Sequence, residues 1–130
     1  MDPIQEATDR ALAMIDAIVA DAQQRADDAV RAQARLAAME EWGASRGGVR
    51  VRVDWQGVPQ EIRIEDPSVL GSSSGLTKDL VHAQRDARRK LADRLRILLA
   101  DGESSPALVA MTQPIVSSID ASEAAAPTMW

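Results

Sequence analysis

A long amphipathic segment at the start of the chain is the strongest constraint on the fold. Asp2-Pro3 has the residue types that begin a helix, a capping side chain followed by Pro at the first helical position. From Ala11 to Leu36 apolar side chains recur at steps of three and four residues, and Gly43 is the predicted stop. A helix of about 40 residues would be about 60 Å long, which exceeds the width of a globule of 130 residues. Part of this helix is expected to project, and its Ala-rich stripe predicts a coiled-coil contact with a partner helix.

A short antiparallel hairpin and a second helix are predicted to follow. Residues 49–55 alternate apolar and charged residues, which is the pattern of a strand with one buried face. A second strand carries Ile62 and Ile64 on its apolar face, and Pro59 indicates an edge or a bulge. A helix is predicted over about 77–100. This order predicts an α+β fold with a long N-terminal helix, an antiparallel β-hairpin or small sheet, and a C-terminal helix.

The chain is predicted to divide at residue 100. Residues 1–100 contain all the periodic segments and form one predicted domain. Residues 101–130 are rich in Ala, Ser and Pro, contain four acids and no base, and show no hydrophobic period. They are expected to form a disordered acidic tail that adds nothing to the fold and that offers a segment for a protein partner.

Several function classes are disfavoured by composition. The chain has no Cys and one His, His82, which argues against thiolate chemistry and His-rich metal sites. We therefore predict no catalytic residue, no metal ligand, no cofactor and no small-molecule substrate, and the protein is not expected to be an enzyme. No apolar run approaches the ~18 residues of a membrane span, and the Met-Asp-Pro start does not resemble a signal peptide. A cytoplasmic protein without membrane association is expected.

The charge distribution singles out the second helix. The net charge is −5, yet residues 76–99 hold seven basic residues and three Asp. On a helical wheel most of these cations lie opposite the Leu-rich stripe, where they could contact successive DNA phosphates. Pairing with the helix's own Asp residues explains the same pattern, so both interpretations stay open. The candidate DNA-binding residues are Lys78, Arg85, Arg88, Arg89, Lys90 and Arg96 on the second helix, with Arg31 and Arg35 on the first.

Three sequence blocks resemble the YbaB/EbfC family of nucleoid-associated proteins, in an actinobacterial-type form. The blocks are Gly48-Val-Arg-Val-Arg-Val53, then Ile62-Arg-Ile-Glu-Asp-Pro67 with Leu70, then Leu76, Leu80-Val81, Ala83 and Asp86-Ala87. The resemblance covers roughly residues 1–98, the first helix in pattern alone. It implies a bacterial homodimer joined through its sheets, whose paired helices project like tweezers and grip duplex DNA in the nucleoid with low sequence preference.

The predicted dimer interface is the apolar face of the hairpin. Its candidate residues are Val49, Val51, Val53, Trp55, Ile62 and Ile64. A second function fits the same outline: a protein-interaction adaptor or chaperone-like module with little DNA binding, such as a relative linked to type VII secretion. A prefoldin-like holdase is the weaker form of this alternative, because holdases need two matched arms and the second helix is much shorter than the first.

Overall fold

The structure is a computed structural model that describes residues 2–101 and 105–125. In chain order its elements are helix α1 (Pro3–Ala37), strands β1 (Glu40–Ala44), β2 (Val49–Asp54) and β3 (Pro59–Ile64), a short 3-10 helix (Pro67–Gly71), helix α2 (Ser73–Ala100) and helix α3 (Pro106–Ala125). The predicted α+β class, with a long N-terminal helix and a small antiparallel sheet, is confirmed. Within the described ranges no helix is long and apolar enough to cross a membrane.

Helix α1 projects from the rest of the chain, as its length predicts. The carboxylate of Asp2 accepts a hydrogen bond from the Ile4 amide at 3.0 Å and caps the helix. Ala32 and Leu36, near the C-terminal end, are the buried residues of α1. Apolar side chains of the N-terminal half remain exposed, and Ile18 for example retains 62% of its accessible surface.

Strand β1 occupies the place where the sequence predicted the last turn of the first helix, so that prediction is wrong from Ala38 onward. Residues 40–44 pair antiparallel with β2 instead. Gly43 is not a helix stop but a point of close approach, because a Cβ atom there would lie 2.1 Å from the Ala83 carbonyl oxygen. Helix α2 therefore packs directly on the backbone of β1.

The sheet has the strand order β1-β2-β3 and is covered on one face by α2. Val49, Val51 and Val53 point to this face and form the core together with Leu91 and other residues of α2. Strand β3 is an outer strand, and the pairing shifts register opposite Pro59, its first residue. This confirms that Pro59 marks an edge or a bulge.

Helix α2 begins four residues earlier than predicted. Ser72 caps it by accepting a hydrogen bond from the Gly75 amide at 3.1 Å. Thr77, at the predicted start, instead donates its hydroxyl to the Ser73 carbonyl within the first turn. A Ser-rich stretch that resembles a linker in composition is thus a capped helix start.

Helix α3 replaces the disorder expected for most of the C-terminal segment. It is a 20-residue helix that packs against both α1 and α2. Leu108, Thr112 and Ile119 are buried, and they follow one another at helical spacing. Pro114 inside the helix interrupts the sequence pattern and concealed this period. The remainder of the predicted tail, 102–104 and 126–130, lies outside the described residues.

Candidate nucleic-acid interface

One flank of α2 is held against β1 by its charged side chains. The Arg94 guanidinium donates to the Glu40 carbonyl oxygen and pairs with the Glu41 carboxylate, both at 3.2 Å. Lys90 lies on the same flank, where its ammonium is 3.2 Å from Asp86. Lys90, one of the candidate phosphate contacts, is therefore engaged with neighbours at the junction of helix and sheet.

Asp86 connects α2 to the end of β1. Its carboxylate accepts a hydrogen bond from the Ala44 amide at 3.0 Å. Partial burial alone would raise the pKa of Asp86, but the Ala44 hydrogen bond and the Lys90 ammonium outweigh burial and hold the pKa below its ordinary value. The folded state therefore favours the ionised carboxylate.

Replacing Asp86 by Asn is expected to lower the free energy of unfolding by about 1 kcal/mol near neutral pH, because a neutral amide accepts a weaker hydrogen bond. Since the folded-state pKa lies below that of the unfolded chain, the carboxylate stabilises the fold above its ordinary pKa of about 3.9. This contribution is lost as the pH falls through the lowered folded-state value. Urea denaturation of both proteins should show a difference that disappears in acid. A difference independent of pH would contradict this role, and Asp16→Asn on the exposed part of α1 is the control.

The opposite flank of α2 faces α3. The Arg89 Nε atom is 3.1 Å from the carboxylate of Glu123. The Arg96 guanidinium pairs with Asp120, and also with Asp93 at 2.8 Å. The hydrogen bond with Asp120 raises the pKa of Arg96 above its ordinary value. Arg89 and Arg96, two of the candidate phosphate contacts, are thus paired with carboxylates of α3.

Two further arginines, Arg85 and Arg88, lie half-buried on this side of α2. They line a small cleft together with Ile119 and Glu123 of α3. The Nε atom of Arg88 is buried and has no hydrogen-bond partner among the described residues. Ala92, between these arginines and Arg96 along the helix, is only 1% exposed.

The remaining candidates occupy two other surfaces. Lys78 lines a polar cleft with Arg46 and His82 near the start of α2. Arg31 and Arg35 are exposed on α1. The predicted set is therefore distributed over the start of α2, its α3-facing flank, its β1-facing flank and α1.

The outer face of the sheet holds a cluster that the sequence did not predict. The guanidinium carbons of Arg50 and Arg63 lie 4.8 and 4.9 Å from the centre of the Trp42 ring, and that of Arg52 lies 6.0 Å away. These are cation–π distances. The cluster depends on β1, because β1 brings Trp42 beside β2. Because the sequence predicted a helix and not a strand at Trp42, it gave no indication that Trp42 lies beside these arginines.

The predicted dimer-interface residues divide into two groups. The valines of β2 are core residues of a single chain, since Val51 for example is 2% exposed beneath α2. The structure thus removes Val49, Val51 and Val53 from the accessible surface. Trp55 is half-buried and packs against the same core. Ile62 and Ile64 are 54% and 39% exposed, because α2 does not cover the outer strand.

No group of His, Cys, Asp and Glu suited to a metal ion is found in the described part of the chain.

A comparison with known protein families matches residues 9–100 to the YbaB/EbfC DNA-binding family. A search of curated proteins finds no match. The family match thus covers α1 from its second turn, the whole sheet and all of α2, and it ends before α3.

Proposed function

Because the chain belongs to the YbaB/EbfC DNA-binding family, we propose that it binds duplex DNA as a homodimer with low sequence preference. The family itself supports a nucleoid-associated DNA-binding role. The observation that carries the proposal for this chain is the concentration of arginine on one flank of α2, where Arg85, Arg88, Arg89 and Arg96 follow one another. We expect the protein to act in the cytoplasm, on the nucleoid.

Phosphate contacts supply most of the affinity in this proposal. Arg85, Arg89 and Arg96 are spaced so that they lie on one side of α2, and Arg88 borders them. Lys78, Lys90, Arg31 and Arg35 extend the contact from the neighbouring surfaces. Contacts to phosphate carry no base information, so shape and charge dominate over sequence. The net charge of −5 makes the affinity modest and steeply dependent on salt.

The homodimer is supported by the uncovered strand β3. Its outer edge is unpaired among the described residues, and Ile62 and Ile64, on the same face as the core valines, are exposed because α2 does not extend over β3. An unpaired edge beside exposed isoleucines is a site for association with a second chain. We therefore assign the contact between protomers to β3 and not to the buried valines of β2.

A protein-interaction adaptor is the second candidate. It is favoured by the apolar stripe on the projecting half of α1, where Leu12, Ile15 and Ile18 are exposed. Such a stripe packs on a helix of a second chain or of another protein. In the adaptor form, protein binding through this stripe replaces DNA binding as the main activity.

Fluorescence anisotropy with a labelled duplex across a salt series tests the DNA proposal. Arg85, Arg89 and Arg96 changed together to Ala are expected to weaken binding and to reduce the slope of log affinity against log salt by about two to three. Each lost phosphate contact removes its share of counterion release. If the wild-type chain binds no duplex at low salt, DNA binding is rejected and the protein-interaction adaptor remains as the proposed function.

The matched control removes the same charge elsewhere. Arg10 and Arg25 are exposed on α1, and Arg63 lies on the sheet. Changing these three to Ala is expected to leave the slope almost unchanged, because none belongs to the proposed contact surface. Equal losses in both triple variants would indicate a general effect of net charge rather than a DNA site on α2.

A further inference from the structure

Helix α3 packs along the flank of α2 that carries four of the candidate phosphate contacts, Arg85, Arg88, Arg89 and Arg96. The sequence 106–125 contains two charged residues, Asp120 and Glu123, and both are acids. Asp120 pairs with Arg96 and Glu123 pairs with Arg89. Every charge of α3 is therefore engaged with an arginine that the DNA proposal needs.

The two ion pairs show how α3 lies on α2. Asp120 precedes Glu123 along α3, but their partners have the reverse order along α2: Asp120 pairs with Arg96, and Glu123 pairs with Arg89. The helices therefore run antiparallel, and the contact spans about two turns of α2. Ala92 lies within this span and is buried. Arg89 and Arg96 keep 54% and 45% of their side-chain surface exposed, so the docked α3 does not shield them from a duplex but pairs their guanidinium groups with carboxylates.

Helix α3 contacts the rest of the chain through one apolar stripe, in which Met111, Ile115 and Val116 are partly buried, and the Ala107 amide donates to the Asp28 carboxylate of α1 at 3.3 Å. Leu108 and Ile119 are its two deeply buried apolar side chains. The Thr112 hydroxyl donates to the Leu108 carbonyl inside α3 itself, so it forms no polar link to another element. Pro114 removes one backbone hydrogen bond from the middle of the helix. The helix also lies beyond residues 9–100, the part that matches the family.

We propose that α3 is an internal competitor of duplex DNA, in which Asp120 and Glu123 occupy the arginines that phosphates otherwise contact. Carboxylate and phosphate are both bidentate partners of guanidinium, so a DNA phosphate can take the place of each α3 carboxylate on the same arginine. The apparent affinity for DNA is then the intrinsic affinity reduced by the fraction of chains with α3 undocked. This inference rests on the proposed function, because it concerns the same flank of α2.

The first test neutralises the competitor in the full chain. Asp120→Asn with Glu123→Gln keeps the shape of α3 and removes both ion pairs. Since exposed ion pairs contribute little individually, the dissociation constant for a duplex is expected to fall by about 2- to 30-fold. The control is Asp16→Asn with Asp101→Asn, which adds the same charge at two carboxylates that form no ion pair among the described residues.

The second test strengthens the competitor. Ser122 lines the cleft with Arg85 and Arg88, so Ser122→Glu adds a third carboxylate beside two candidate contacts. Binding is expected to weaken by about 2- to 5-fold. Ser117→Glu is the matched control, because Ser117 is exposed on the side of α3 away from its buried residues.

Hydrogen exchange of α3 provides a readout that a general charge effect would not alter. Saturating DNA is expected to speed amide exchange over 106–125 while the core strands stay protected. Unchanged exchange, or equal affinities of the neutralised variant and its control, would overturn the competitor while leaving DNA binding intact. If neither the wild-type chain nor the neutralised variant binds any duplex at low salt, the proposed function itself fails.

Discussion

Replacing Gly43 by Ala is expected to lower the free energy of unfolding by about 3 kcal/mol or more. The added methyl group would lie 2.1 Å from the Ala83 carbonyl oxygen and 2.2 Å from the Ala87 amide nitrogen. Both neighbours are backbone atoms of α2, which cannot rotate away as a flexible side chain does. The helix must shift on the sheet, and overpacking of this kind usually costs about 1–3 kcal/mol, or more when backbone is involved.

Gly71→Ala is the matched control for this substitution. A Cβ atom at Gly71 meets nothing within 4 Å, so the same chemical change is expected to alter stability by less than about 1 kcal/mol. Urea denaturation followed by circular dichroism measures both variants. Equal stability of the two would contradict the direct packing of α2 on β1.

The long helix and the hairpin could be predicted because their signals are local. The apolar period of α1 and the alternation over 49–55 lie within each segment. Strand β1 has no such signal, since Glu40 and Glu41 are both charged and Gly43 breaks the alternation. Its conformation comes from pairing with β2 and from the approach of α2, which are long-range contacts.

The sequence predicted where the candidate arginines lie on α2 but not what surrounds them. The helical wheel of α2 located the arginines opposite the Leu stripe, and Arg89 and Arg96 do lie outside the core. The sequence of α2 alone does not indicate which element packs beside these arginines. The partner is α3, whose period was obscured by Pro114 and whose composition resembles a disordered tail. The interpretation that the basic stripe pairs with the helix's own Asp residues holds for Arg96 with Asp93, whereas Arg89 pairs with Glu123 of α3.

The same limit applies to the predicted interface. Alternation indicates that one face of a strand is apolar, but it does not say whether a helix of the same chain or a second chain covers that face. Helix α2 covers β2 and leaves β3 open. The two strands of one predicted apolar face thus differ in exposure, with β2 buried and β3 open.

Substituting Ile62 and Ile64 together by Lys is expected to raise the dissociation constant of the homodimer by about 100-fold or more. Each isoleucine buried at an interface contributes about 1.5–3 kcal/mol, and two such residues from each protomer meet if β3 is the contact. A tenfold change corresponds to about 1.4 kcal/mol, so 100-fold is a lower bound. Lys on an outer strand also opposes edge-to-edge pairing.

The fold of each chain is expected to survive this double substitution, because both side chains are exposed and the core beneath α2 is untouched. Sedimentation velocity measures the oligomeric state, and circular dichroism checks the fold of the same samples. Ile97→Lys is the control, since Ile97 is an apolar residue on α2 that is 73% exposed, more than either isoleucine of β3. A wild-type chain that stays monomeric at micromolar concentration, or a double variant that dimerises normally, would remove β3 as the contact between protomers. Val51→Asp does not make this distinction, because a carboxylate in the core would unfold the single chain whether or not it dimerises.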